Sequence, residues 1–280
     1  MNFDIQFEKI TELFQVSEKE GRLFLFEHET YELLKLSGAE TPPMADLLVK
    51  GSRMTDEQLN SMPGDKVVLK VVSPTIFHKT DLKGVKIINK HPDTIRSSVR
   101  RMLDEVPVNF AFQIEKDPDH SPSTYRQLTG EALVNSIAAD IKGILLCQFM
   151  PPDSLAFGNE LLVSIRRTRE FGMVITAGLG GTDTELYAQR FRKGQAVVSA
   201  STELTDGYQF FTLFKNTIAY KKLAGVTRGQ DRIVSDDQLI ECFSSFIEMA
   251  NYYSPVNPDA PYVIDELEIN PFAFTDYKVV

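Results

Sequence analysis

The chain has little cysteine, no block of basic residues and no long apolar run. Only Cys147 and Cys242 occur among its 280 residues. Two thiols make no disulfide scaffold and point to a reducing compartment. Cys147 sits in the apolar run Ile144–Met150 and is expected to be buried. No stretch approaches the roughly 20 apolar residues of a membrane span. The opening MNFDIQFEKITELF carries acids where a signal peptide has an apolar centre. The expected setting is therefore soluble and cytoplasmic. Thirty-nine acids against 30 bases leave a net charge of −9, a poor match for nucleic acid or an anionic membrane. A nucleotide site can still carry a local positive patch. Neither an internal repeat nor a Rossmann glycine fingerprint is present.

What is present centres on Lys66 to Ile88. Val67, Val68, Leu69, Val71 and Val72 form a β-branched apolar run interrupted by Lys70, which reads as a buried strand. Ser73-Pro74 ends it, because proline donates no ladder hydrogen bond. Val85 to Ile88 reads as a second strand. Between them lies the polar loop Phe77-His78-Lys79-Thr80-Asp81-Leu82-Lys83-Gly84. Such a hairpin can hold a polyphosphate, with Lys70 as a point charge and amides near Gly84 as donors. A lysine in an apolar run is equally the mark of an edge strand whose side chain reaches solvent.

A second pattern closes the chain. Ile264-Asp265-Glu266-Leu267-Glu268-Ile269-Asn270-Pro271-Phe272 alternates, so Glu266, Glu268 and Asn270 share one strand face. Two carboxylates and an amide oxygen suit Mg²⁺, which takes hard oxygen ligands. A polar sheet face has the same pattern.

The rest is read more coarsely. Met1 to Gly21 and Leu25 to Gly38 are expected to be helices, the second stopped by Gly38. Met44 to Met62 is expected to hold a helix and a loop. Asp93 to Leu103 fits a helix whose Arg96, Arg100 and Arg101 face water. Val106 to Ala138 is expected to be an insertion, with a strand at Val108–Ile114 and a mobile acidic loop at Asp117–Ser123. Gly143 to Met150, Asn159 to Ile165 and Met173 to Ala177 read as strands. The last runs into Gly178-Leu179-Gly180-Gly181, whose amides can approach an anion. Phe210 to Ala224 and Asp236 to Tyr253 read as helices.

The string LKVVSPTIFHKTDLKGVKI resembles the signature of the NDP-forming acyl-CoA synthetases, in their ATP-grasp subunit or domain, and more distantly the succinyl-CoA synthetase beta subunit. NELLVSIRRTREFGMVITAGLGG and the closing Glu-x-Asn-Pro resemble two further stretches of that family, so the likeness spans about Leu25 to Phe274. It implies an ATP-grasp fold, α+β, of two lobes with the nucleotide between them. The expected layout is a helical segment at 1–60, a small lobe at 61–152 and a large lobe at 153–280. The resemblance makes His78 a phosphohistidine relay oriented by Asp81. It assigns nucleotide contacts to Lys70, Gly84, Gln148, Phe149, Glu160, Gly180 and Gly181, and Mg²⁺ to Glu268 and Asn270. Phe149 stands where the family often has Glu, Glu268 where it often has Asp, and Ala188-Gln189-Arg190 lacks an acid usual there, just after Glu185.

The implied reaction takes acyl-CoA, ADP and phosphate to carboxylate, ATP and CoA. No CoA-binding domain is read here, so a CoA-binding alpha subunit or domain is the implied partner. A further metal carboxylate expected one strand on is not assigned to Asp276, and the 280 residues are expected to be a segment of a longer polypeptide. Two other readings stand beside this one: a different ATP-grasp ligase working through an acyl phosphate, and a nucleotide sensor without catalysis.

Overall fold

The computed structural model describes residues 4–38, 42–150, 160–180, 191–192, 194–226, 231–272, 274–275 and 278–279. Gly181, Glu185, Gln189 and Asp276 lie outside them. Two helices open the chain, α1 (Phe7–Lys19) and α2 (Glu27–Leu36). The fold divides into two units, residues 21–30 with 43–149, and residues 1–20, 31–42 and 150–280. Residues 1–60 are shared between both, and the division falls within α2.

The unit containing 43–149 is built on a four-stranded antiparallel sheet. Its strands are β1 (Ala45–Val49), β2 (Lys66–Val72), β3 (Val85–Asn89) and β4 (Gly143–Gln148), in the order β1-β4-β2-β3. A short helix, α3 (Asp56–Asn60), joins β1 to β2. Strand β2 alternates as its sequence requires. Val67, Leu69 and Val71 are fully buried and join a core with Ile95, Val99 and Met102 of α4 (Pro92–Lys116) and Leu133 and Ile137 of α5 (Gly130–Asp140). Each such buried side chain contributes about 1.5–3 kcal/mol. By alternation Lys66, Val68, Lys70 and Val72 occupy the opposite face. The expected hairpin is present, with Lys70 opposite Val85 across β2 and β3.

Three expectations in this unit are corrected. Val108–Ile114 is not a strand but the second half of α4, a 25-residue helix. Ile95, Val99, Met102, Val106, Phe110 and Ile114 recur every three or four residues along one buried stripe. That helical spacing overrides the local β-branched, aromatic composition. Pro107 lies inside the helix and supplies no amide to it. The rest of the supposed insertion holds two 3₁₀ turns, Pro118–His120 and Ser123–Tyr125, and then α5. Its Tyr125, Leu133 and Ile137 are fully buried in the same core. Ahead of β2, residues 44–62 hold strand β1 as well as helix α3, because Leu47 and Leu48 find β4 as a partner.

The other unit carries a second four-stranded antiparallel sheet. Its strands are β5 (Leu161–Thr168), β6 (Gly172–Leu179), β7 (Val197–Ser201) and β8 (Glu266–Phe272), in the order β7-β6-β5-β8. Strand β7 is absent from the sequence reading, its Val197-Val198-Ser199-Ala200-Ser201 being half polar. Between β7 and β8 run α6 (Gly207–Phe214), α7 (Ile218–Leu223) and α8 (Asp236–Tyr252). The single helix expected over Phe210–Ala224 is thus two, because Thr217 caps a new start by accepting the amide of Tyr220. Helix α8 begins at a capping box of Ser235 and Gln238. It packs on β5 and β6, where Val163, Ile165, Ile175 and Ala177 are fully buried. Strand β5 runs on past Ile165, where the expected strand ends, to Thr168. A short pair, β9 (Phe274–Thr275) and β10 (Lys278–Val279), follows β8.

Candidate functional site

The loop between β2 and β3 is held at both ends and once in the middle. At its start Ser73 and Thr75 share a hydrogen bond, and Thr75 meets the hydroxyl of buried Tyr125 at 2.9 Å. Tyr125 in turn donates to Asp140. Burial, then the Asp140 bond, pushes the Tyr125 phenol well above its ordinary range, so it stays a neutral donor. In the middle Leu82 is buried, and its carbonyl accepts from the side chain of Asn109 on α4 at 3.0 Å. At the end Gly84 donates to the Lys79 carbonyl at 2.7 Å, and its own carbonyl accepts from Val71. A Cβ at Gly84 would stand 2.8 Å from a Val71 methyl and 2.9 Å from the Lys79 carbonyl oxygen. Only glycine fits, because the loop closes against the strand here.

That anchoring presents His78. The Lys79 amide donates to the Phe77 carbonyl at 3.0 Å, a three-residue turn with His78 at its centre. His78 and Asp81 are both exposed. No hydrogen bond joins them among the described residues, so the orienting contact expected of Asp81 is not formed in this state.

Lys70 does not run free to solvent as an edge lysine does. Its strand is internal to the sheet, between β4 and β3. Its ammonium contacts Oε1 of Glu27, the first residue of α2. Lys79, next in the chain to His78, contacts Oε2 of the same carboxylate at 2.8 Å. All three side chains are about a quarter exposed. Burial alone would raise the carboxyl of Glu27, but the two ammonium charges and their hydrogen bonds outweigh it and hold the pKa at about 2. The helix N-terminus favours the same charge state. Glu27 is itself held in place. Arg22 grips Glu29 with two hydrogen bonds of 2.8 and 2.7 Å, and Glu29 accepts the Phe26 amide at the start of α2. The Arg22 guanidinium lies 4.2 Å from the centre of the Phe26 ring.

Glu27 and Lys79 are absent from the site read in the sequence. Glu27 lies 43 residues from Lys70, and no local spacing links them. The available signal was an acid at the first position of a helix that needs none for packing.

The remaining assignments divide. Phe149 follows β4 directly, and the Lys66 ammonium lies 5.9 Å from its ring centre. Lys66 shares a strand face with Lys70 by alternation, so Phe149 belongs to that side of the sheet. Gln148 lies opposite buried Val67 and belongs to the other face. Its side-chain oxygen accepts the Met44 amide at 3.2 Å, closing the start of β1. Cys147 is buried on the Lys70 side of β4. Burial pushes its thiol up to about 12 despite the nearby lysines.

In the other unit Glu160 and Gly180 come together, the Gly180 amide donating to the Glu160 carbonyl at 2.9 Å. A Cβ at Gly180 would meet the Leu161 carbonyl at 2.3 Å. Strand β8 puts Glu266, Glu268 and Asn270 on its exposed face and Leu267 on its buried one. Leu161 pairs with Phe272 and Val163 with Ile269. Leu162 therefore faces both Asn270 and Pro271, a bulge that accommodates a residue with no amide hydrogen. Across the sheet Glu268 lies opposite Ser164, Ser164 opposite Thr176, and Thr176 opposite Ser199. The Thr176 and Ser199 hydroxyls bond at 2.9 Å. Glu268 thus ends a polar row on the face away from α8, a row the strand sequences conceal one hydroxyl at a time. Among the described residues no group of three or more His, Cys, Asp and Glu could hold a metal ion. No helix among them is long and apolar enough to cross a membrane.

Comparison with known proteins agrees along nearly the whole chain. An ATP-grasp domain model matches residues 17–116 and 116–280. The ADP-forming acetate–CoA ligase I subunit beta of Pyrococcus furiosus is 27% identical over 275 residues, 97% of this chain and 94% of that subunit. The II subunit beta of the same organism is 26% identical over 255 residues, 90% and 85% of the two chains. A Ca. Korarchaeum cryptofilum protein solved with coenzyme A superposes with a TM-score of 0.66 at 23% identity, covering 96% of this chain and 95% of its own. The dinucleotide-forming acetyl-coenzyme A synthetase 1 of that organism, solved with coenzyme A and Mg-AMPPCP, has its phosphohistidine segment pointing towards the nucleotide binding site. It gives a TM-score of 0.62 at 21% identity, with 96% and 95% covered. Those structural likenesses carry the fold; by the domain match the chain belongs to the ATP-grasp domain family, and the two relatives it matches over most of their length are beta subunits of ADP-forming acetate–CoA ligases.

Proposed function

We propose that the chain is the nucleotide-binding half of an ADP-forming acyl-CoA synthetase and passes a phosphoryl group between a phosphohistidine and ADP. The observation that carries this reading is the position of His78. It stands exposed at the tip of a glycine-closed loop, and Lys79, its neighbour, shares one carboxylate with Lys70 of the adjoining strand. A phosphoryl relay needs an accessible imidazole beside fixed positive charge, because the transferred group spreads negative charge over its oxygens.

In the proposed sequence a CoA-binding partner converts acyl-CoA and phosphate to acyl phosphate and free CoA. A histidine of that partner takes the phosphoryl group and releases the carboxylate. A ring nitrogen of His78 then attacks phosphorus, forming one N–P bond as the partner's breaks. Finally the terminal oxygen of ADP attacks, the His78 N–P bond breaks, and ATP leaves with the imidazole restored. Neutral imidazole is a competent nucleophile near pH 7. Lys70 draws the nucleotide phosphates towards the strand, and Asp81 orients the His78 ring in the reacting state. Gly84, its own amide taken by the Lys79 carbonyl, lets the loop close tightly beside the phosphates, Phe149 offers an aromatic surface, and Glu160, Gly180 and Gly181 are nucleotide contacts carried by the other unit.

The donors on β8 fit Mg²⁺. Glu268 and Asn270 offer hard oxygens on one exposed face, and a site with so few protein ligands leaves the others to water and phosphate. When bound, the ion neutralises charge on the nucleotide.

The test is His78→Ala in the complete synthetase. Loss of ATP formation with ADP binding retained supports the relay. Turnover surviving in the variant would instead favour a ligase that uses an acyl phosphate without phosphohistidine.

A further inference from the structure

The relay needs His78 and the nucleotide phosphates in register, yet they depend on different segments. Lys70 is set by the sheet and His78 by the loop. Only one side chain in the described structure grips both segments by their cations. Glu27 takes the Lys70 ammonium on one oxygen and the Lys79 ammonium on the other. Two ammonium groups this close repel by several kcal/mol at an effective dielectric of about 20. Without a carboxylate between them the lysine on the loop, which lacks a sheet to hold it, is the one that swings away.

The support behind Glu27 is stiff. It is the first residue of α2, and the start of that helix is fixed by the bidentate pair of Arg22 and Glu29 and by the Phe26 amide. A carboxylate needed only to neutralise a lysine has no use for such a brace.

We propose that Glu27 is a positioning residue for phosphoryl transfer. It ties Lys79, and through it His78, to the phosphate-binding Lys70, so that the imidazole is held at the place where the transferred group arrives. This rests on the relay reading above. Glu27 touches neither His78 nor the nucleotide in this assignment, and it moves no proton.

The experiment uses the complete synthetase with Glu27→Gln, Lys79→Gln, the double variant and Lys70→Ala. Glutamine keeps the size of residue 27 and removes the charge that binds both lysines. For Glu27→Gln the expected result is kcat about 10²-fold lower, the scale of an ångström-sized misplacement, with KM for ADP unchanged or up to about threefold lower because a negative charge has left the site. Lys79→Gln is expected to show the same split. The double variant is expected to lose no more than either single change, the mark of residues acting as one unit. If Glu27→Gln does not fold, Lys79→Gln alone decides by the same split. Unchanged kcat in Glu27→Gln overturns the proposal. So does a KM rise that parallels the loss of kcat, which would mean that Glu27 merely supports the nucleotide site, and so do additive losses in the double variant. In every one of these outcomes Lys70→Ala separates the two levels. ADP binding lost in Lys70→Ala leaves the nucleotide reading intact whatever Glu27 does. ADP binding unchanged in Lys70→Ala overturns that reading and the proposal together.

Discussion

Lys79 Nζ lies 2.8 Å from Glu27 Oε2, across 52 residues of sequence. The contact joins the loop that carries His78 to the first turn of a helix, and Lys70 completes it from the strand. The lysine of the strand and the lysine of the loop therefore form one cationic group around one anion, and the chemistry proposed here depends on their joint placement.

Lys70→Ala removes the strand's charge from the site. A hydrogen bond to a charged group contributes about 1.5–3 kcal/mol, so Mg-ADP affinity is expected to fall by roughly 10- to 100-fold. Calorimetric titration of the purified chain reads this directly. The same change removes one of the two lysines that hold Glu27, and a modest loss of thermal stability is expected beside it.

The acid limb of stability follows from Glu27. Its folded pKa, about 2, lies below the ordinary 4.5. A carboxylate held down in this way stabilises the fold fully above its ordinary pKa and loses that contribution as pH falls towards the folded one. Between pH 5 and pH 2 the wild-type chain is therefore expected to lose more stability than Glu27→Gln, by no more than about 3 kcal/mol. Urea denaturation at several pH values measures it. Parallel acid limbs in the two proteins would contradict the ion-pair assignment.

Gly84→Ala places a methyl group against a Val71 methyl and the Lys79 carbonyl. Overpacking of this kind costs about 1–3 kcal/mol. The loop is expected to shift with it, so ATP formation falls more than thermal stability alone accounts for. Comparison of the unfolding midpoint with kcat at a temperature where the variant is folded separates the two effects.

Cys147 is 1% exposed, and burial raises its thiol to about 12. At pH 8 it is expected to resist alkylation in the native chain and to react at the rate of unfolding. Cys242, also buried, should behave alike. Rapid labelling of either thiol in the folded protein would contradict the core described above.

Much of the fold was legible where one period ran unbroken. Val67, Leu69 and Val71 wrote β2 into the sequence, and the spacing of Leu239, Phe243, Phe246 and Ala250 wrote α8. The alternation of Glu266, Glu268 and Asn270 set β8 correctly. Legibility failed where composition and period disagreed. Val108–Ile114 is β-like in content, but its burial follows the stripe begun at Ile95, and Pro107 hid the continuity. Strand β1 has only five residues, too few for a pattern, and exists because β4 pairs with it.

Of the candidate site, the sequence shows what lies close along the chain. Lys70, His78 and Gly84 stand together because they share one hairpin, and Glu160 meets Gly180 through neighbouring strands. The side of β4 on which Gln148 lies is set by pairing with Val67, which the run Ile144–Met150 alone does not reveal. Glu27 was not read as part of the candidate site, because an ion pair across 43 residues is a product of the fold, and its one local mark is an acid at the first position of α2.

The central claim is that phosphate resides on His78. Incubation of the purified chain with Mg-ATP labelled at the γ-phosphate, followed by separation at alkaline pH, measures it. The expected result is an acid-labile, base-stable phosphate on the peptide containing His78, absent in His78→Ala and discharged to ATP on adding ADP. A chain that binds Mg-ATP saturably yet never carries phosphate at His78 would contradict the relay.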